Sequence, residues 1–250
     1  VKGLLQAARY LTVVPLGHGT PADGDQAVGR VVAWFPVVGL GIGAVVALTD
    51  RLALLVFPAL VSAVLTVTVW KLLTGGLHLD GLADCLDGLA GYDQGQRLHI
   101  MRDSRIGAFA ALGLILFLLL EVAALTEFAP GERWRVLLAA PAIGRAAPAL
   151  LSSCFPCARP AGQGAAFGAA LRPRDAWLAL GGAALVAAVT LGPAGLLALT
   201  AGTLAALGAG WFVSARLGGI TGDVLGAGVE VAELAALLAM SAWMHATPGH

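Results

Sequence analysis

The chain has 250 residues, 58% hydrophobic and only 12% charged, where a soluble domain carries roughly a quarter charged residues. Mean hydropathy is +0.86 and fifteen Lys and Arg balance fifteen Asp and Glu. A water-soluble globule is excluded, and with no net charge there is no global field to recruit nucleic acid.

A bilayer core asks for about 20 apolar residues per helix. The opening stretch, 2–15, is apolar, is interrupted by Arg9, and lacks a signal-peptide cleavage pattern, so it reads as an interfacial helix of the mature protein. Uncharged runs at 31–49 and 52–70 predict two spans, and 107–125, broken only by Glu121, predicts a third. The segment 134–153 is weaker as a helix, because Arg145 lies in its middle among Pro141, Gly144 and Pro148. From 176 to 215 no charge occurs, and Gly192-Pro193-Ala194-Gly195 divides that length into two spans. The last apolar segment runs 231–244, with Glu233 near its start.

Charge counting decides on 134–153. With it included and the N-terminus inside, eleven Lys and Arg fall on the cytoplasmic side against three outside (Arg51, Arg133, Arg135), with Arg145 buried. Without it, the 159–174 loop moves to the other side and the two polar loops described next are separated. The expectation is an all-α polytopic membrane bundle of about seven transmembrane helices. It forms a single domain, 1–250, with cytoplasmic motif loops at about 72–106 and 216–230. No repeat of fixed period is visible.

Between the second and third spans, five of the fifteen acids fall within 80–103. Helical steps of four and three residues put Asp80, Asp84 and Asp87 on one face, with Leu82, Leu86 and Leu89 opposite. Like charges at that spacing repel, and no Lys or Arg lies among them to compensate. A divalent cation would, and hard carboxylate oxygens favour Mg²⁺, with Mn²⁺ as the alternative, over zinc. His78 is a further candidate ligand or substrate contact. Asp93 with Gln96 has the spacing of an N-terminal capping pair. The helix it starts would end near Arg102 and return Asp103 to the stripe, giving carboxylates for a two-metal centre with ions about 3.5–4 Å apart.

Arg97, Arg102 and Arg105 are counterparts for a polyanionic substrate, because guanidinium forks match phosphate oxygens, and they serve equally as topology markers. Arg105, beside Ser104, is the preferred phosphate contact. In the second polar loop, Thr221 and Asp223 among glycines offer groups for a sugar or phosphate, although that loop alone also reads as an ordinary turn. Glu121 and Arg145 should face the bundle interior, either paired with each other or, for Arg145, turned to substrate. Cys154 and Cys157 form a lone CxxC that reads as an incidental loop pair, and Cys85 as a small packing residue.

The runs Gly-Leu-His-Leu-Asp-Gly-Leu-Ala-Asp-Cys-Leu-Asp-Gly at 76–88, Met-Arg-Asp-Ser-Arg-Ile-Gly at 101–107 and Gly-Gly-Ile-Thr-Gly-Asp-Val-Leu-Gly-Ala at 218–227 closely resemble the cobalamin synthase family, the adenosylcobinamide-GDP ribazoletransferases. Cys85 stands where threonine is more usual in that family, and Arg102 where lysine is; no carboxylate is missing. The resemblance implies a multi-pass enzyme of the bacterial cytoplasmic (inner) membrane, its active site facing the cytoplasm. Such an enzyme joins adenosylcobinamide-GDP to α-ribazole or its 5′-phosphate with Mg²⁺ and releases GMP. Its partners would be those small molecules and membrane lipid, with oligomeric state left open. Asp80, Asp84, Asp87 and Asp103 would hold metal, and Asp84 or Asp103 would act as base. The aspartate pattern is also similar to that of the CDP-alcohol phosphotransferases, the nearest enzymatic rival. A cation transporter fits less well, because these acids cluster at one face and not at mid-bilayer.

Overall fold

The computed structural model describes residues 2–15 and 25–247. Among these the regular elements are helices: α1 (Lys2–Leu11), α2 (Phe35–Ala53), α3 (Ala59–Leu73), α4 (Leu77–Gly88), α5 (Gln94–Ile100), α6 (Ala108–Thr126), α7 (Arg133–Cys154), α8 (Gln163–Ala170), α9 (Pro173–Leu191), α10 (Ala194–Leu217) and α11 (Gly222–Ala246), with two short 3₁₀ turns before α2. Six helices (α2, α6, α7, α9, α10 and α11) are long and apolar enough to cross a membrane, and the bent pair α3–α4 brings the number to seven. The chain is an all-α polytopic membrane bundle, as its hydropathy predicts.

The most enclosed helices are α7 and α11, with 78% and 72% of their apolar stretch buried, against 22–28% for α6, α9 and α10. The last three therefore present most of their surface to lipid. The doubtful segment is thus a central helix, and Pro141 and Pro148 lie inside it. Its closest neighbour is α2, which approaches through glycines: a Cβ on Gly39 would meet the Pro141 carbonyl at 2.5 Å, and one on Gly43 the Leu137 carbonyl at 2.5 Å. Small residues four apart let two backbones touch, which is how helices gain packing energy in lipid.

Four details differ from the sequence reading. The second span begins at Ala59, not at 52, because α2 continues to Ala53 and Pro58 then caps α3. The last helix begins at Gly222, so most of the expected 216–230 loop is its first turns. Lys71 is buried in the bundle, not in a loop, and Arg133 is buried at the far end, 3.2 Å from Asp50. Ser62 and Thr66 also donate to that aspartate, at 3.0 and 3.3 Å.

Candidate active site

Two consecutive glycines, Gly75 (φ 63°) and Gly76 (φ 69°), take left-handed backbone where a side chain would be strained. They turn the chain by 92° between α3 and α4. α4 thus leaves the line of the spans and lies across the starts of α6 and α11. Leu86 meets Gly113 of α6, and Gly81 sits so close to the Asp223 backbone that a Cβ there would be 2.6 Å from its carbonyl. On the other side, Gly226 allows α11 to approach the His78 backbone.

This placement aims the aspartate stripe outward. A cavity of about 180 Å³ is lined by Asp80, Asp84 and Asp87 from α4 and by Arg102, Asp103, Ser104 and Arg105 from the segment before α6. The structure thus brings seven of the expected site residues together in one cleft. Asp93 caps α5 as expected, accepting from the Gln96 amide at 2.9 Å, while the Gln96 side chain accepts from Tyr92 N at 2.8 Å. The turn after α5 returns Asp103 to the stripe.

Within the cleft the carboxylates are not equivalent. Asp87 accepts from Gly107 N at 2.6 Å and Ala110 N at 2.9 Å, so it caps α6, whose own N-cap glycine has no side chain to do so. Asp103 is gripped by Arg105 through contacts of 2.6–3.1 Å from Nη2, Nε and the backbone amide. Those hydrogen bonds hold its carboxyl down at about 2. Asp84 is opposite: half-buried, it stands among the like charges of Asp223, Asp80 and Asp87, with Arg159 opposing them and no hydrogen bond to its side chain from the described residues.

The remaining expected residues sit around the cleft. His78 is buried beside it, and its Nδ1 has no hydrogen-bond partner among the described residues. Thr221 caps α11, accepting from Val224 N at 3.4 Å, and its hydroxyl donates to Asp223 at 3.1 Å. Arg97 donates from Nε to the Gly91 carbonyl at 2.8 Å and so braces the α4–α5 turn. Arg145 is not in the cleft: it is buried in α7 and ion-paired with Glu233.

That pairing replaces both alternatives for Arg145, a pair with Glu121 or a turn toward substrate. Glu121 instead accepts from Lys71 Nζ at 2.8 Å, and the same ammonium lies 2.5 Å from Glu230 and 3.7 Å from Glu233. Charged groups therefore do lie inside the bundle, apart from the cleft. The oxygens of Glu121, Glu230 and Glu233 come within 4.8 Å of one another, a spacing that suits a cation, and Lys71 already supplies one. In the cleft, no described residue donates to the side chain of Asp80 or Asp84, and the charge of Asp223, from outside the cleft lining, acts on both. Among the described residues no three cleft carboxylates come that close together; by donor type the free oxygens of Asp80 and Asp84 suit Mg²⁺ or Mn²⁺.

One further cation reaches the cleft aspartates from a distant loop. Arg159 donates to the Leu98 carbonyl at 3.1 Å and acts on both Asp84 and Asp223. It is carried there by the 155–162 loop, which docks against the start of α11 through Ala158 N–Ile220 O (2.9 Å) and Ile220 N–Pro156 O (2.8 Å). In sequence it is only one cation among several in a loop. Cys154 and Cys157 are free thiols at the base of that loop.

Residues 3–241 match the family described as Cobalamin-5-phosphate synthase. A protein of Roseiflexus sp. named adenosylcobinamide-GDP ribazoletransferase is 37% identical over 94% of this chain and 88% of its own length. Proteins of the same name from Stutzerimonas stutzeri and Trichormus variabilis are each 39% identical, the alignments covering 95% and 92% of this chain and 97% and 92% of theirs. No solved structure matches the chain. With the family's match running almost end to end and its aspartates gathered in one cleft, the chain belongs to the cobalamin-5-phosphate synthase family.

Proposed function

We propose that the chain joins adenosylcobinamide-GDP to α-ribazole or its 5′-phosphate, giving adenosylcobalamin or its 5′-phosphate and GMP. The observation that carries this reading is the cleft in which Asp80, Asp84, Asp87 and Asp103 meet Arg102 and Arg105, in a chain of this family. The ribose 3′-hydroxyl of the acceptor attacks the phosphorus bonded to cobinamide. The bond from that phosphorus to the GMP oxygen breaks, and the hydroxyl proton passes to a carboxylate.

Both oxygens of Asp103 are committed to Arg105, which leaves Asp84 to take that proton and Asp103 to position the guanidinium. Arg102 and Arg105 bind diphosphate oxygens, and Ser104 donates beside them. Asp80 and Asp84 would hold Mg²⁺, or Mn²⁺, one oxygen of Asp84 remaining for the proton; Asp87 keeps their helix in place. When bound, the ion neutralises charge that develops on the diphosphate.

The membrane is the bacterial cytoplasmic membrane, with the α4 face toward the cytoplasm. Setting aside buried Lys71 and Arg133 leaves ten Lys and Arg on that side and two on the other. The test is turnover by the purified protein in liposomes. GMP should appear only when adenosylcobinamide-GDP, α-ribazole and Mg²⁺ are all present; release of CMP from a CDP-linked lipid, with no GMP, would reverse the assignment.

A further inference from the structure

A second cavity, of about 140 Å³, adjoins the catalytic cleft and shares Asp80 with it. Its walls are of another kind: Tyr10, Phe35, Leu77, Pro148, Phe167 and Leu225. Six elements contribute them: α1, the start of α2, α4, α7, α8 and α11. The aromatic side chains form a run, with Tyr10 stacked on Phe35 at 6.1 Å between centroids and Phe35 tilted against Phe167 at 6.2 Å. The polar side chains Asp80, Asp223 and His78 also border it. Since one liquid water occupies about 30 Å³, the space takes a flat two-ring heterocycle and is far too small for a corrin.

The reaction proposed above brings one such group to this place. α-Ribazole carries a dimethylbenzimidazole, an apolar bicycle, on the ribose whose hydroxyl must reach the cleft at Asp80 and Asp84. Guanine, the other flat base in the reaction, is ringed with amide and amine groups that need several partners when buried, and among the lining side chains those partners would have to be Asp80, Asp223, His78 and Tyr10. A dimethyl-substituted bicycle needs shape and ring contact, which these walls supply. We infer that the chamber between α1, α4, α8 and α11 is the seat of the acceptor's aromatic base, with Phe167 and Leu77 setting the size of base admitted. This rests on the reading of the chain as a ribazoletransferase.

The inference is tested with a series of α-ribosides whose bases increase in size from imidazole through dimethylbenzimidazole to naphthimidazole, each with adenosylcobinamide-GDP. Phe167→Ala enlarges the chamber and should shift relative kcat/KM toward naphthimidazole by about tenfold. Leu77→Trp, at a position 44% exposed and so tolerant of change, should shift it toward imidazole. The KM for adenosylcobinamide-GDP should stay constant in both. Unchanged preference across the series, or an effect confined to the KM of the GDP-linked donor, would overturn the inference and in the second case give the chamber to guanine.

A measurement without turnover guards against inactive variants. With Cys154 and Cys157 replaced by serine, a Leu77→Cys protein should react with a maleimide more slowly when α-ribazole is present, and GMP should give no protection. Labelling indifferent to α-ribazole would sink the assignment. Absence of GMP release by the parent protein with every riboside is a separate result, and it would count against the activity itself.

Discussion

Acidic side chains gather in two places in this molecule, and their surroundings could hardly differ more. In the bundle, Glu121, Glu230 and Glu233 are fully enclosed and share Lys71 and Arg145. At the edge of the bundle, Asp84 feels the charges of Asp223, Asp80 and Asp87, opposed by Arg159, and among the described residues no side-chain hydrogen bond holds Asp80 or Asp84. Charges taken out of water must be compensated inside the protein, or the fold does not hold. Charges left uncompensated at a cleft are instead available to something that arrives from outside. On the proposed reading, the bundle cluster serves the scaffold and the cleft serves chemistry.

The largest effect that should separate the two is at Asp84. Asp84→Ala is expected to reduce turnover by about 10²- to 10⁴-fold, the range for loss of a general base, with membrane insertion and unfolding temperature unchanged; activity near the parent level would move the chemistry elsewhere. Lys71→Met should do the reverse. It strips the cation from Glu121 and Glu230, and breaking a buried pair costs about 3–5 kcal/mol of stability, visible in denaturant unfolding in detergent. Parent-like unfolding would show that the cluster is not structural.

Smaller effects sharpen the contrast. Arg105→Ala should raise the KM for the GDP-linked donor about tenfold and leave that for α-ribazole unchanged; an equal rise in both would mean a general distortion. Asp87→Asn keeps one acceptor oxygen for the start of α6 and should cost about 0.5–2 kcal/mol, as loss of an N-cap does. Its thermal shift should be small but measurable, and no shift at all would deny the capping role.

The positions of the spans were legible because hydropathy is local: lipid exposure on α6, α9 and α10 demands apolar residues throughout. The stripe on α4 was legible for the same reason, since helical spacing alone puts Asp80, Asp84 and Asp87 on one face. Illegible were the partners chosen across the chain. Lys71 finds Glu121 and Glu230 at separations of 50 and 159 residues, and nothing near it in sequence says so. The start of α11 was misread because Gly222, Gly226 and Gly228 look like a loop; in the fold they are the places where α8, α4 and α7 come close. Asp87 was read as one ligand among four, and its bond to α6 could not be seen without knowing where that helix begins.

That bond has a mechanical meaning. Asp87 stands three residues after Asp84 and is fastened to the first turn of a membrane-crossing rod, so the reactive groups have no freedom to drift separately from the scaffold. If α6 slides or tilts as the surrounding lipid changes thickness, the displacement is delivered at once to Asp84. On the proposed reading, the geometry around Asp84 is thereby geared to the bilayer.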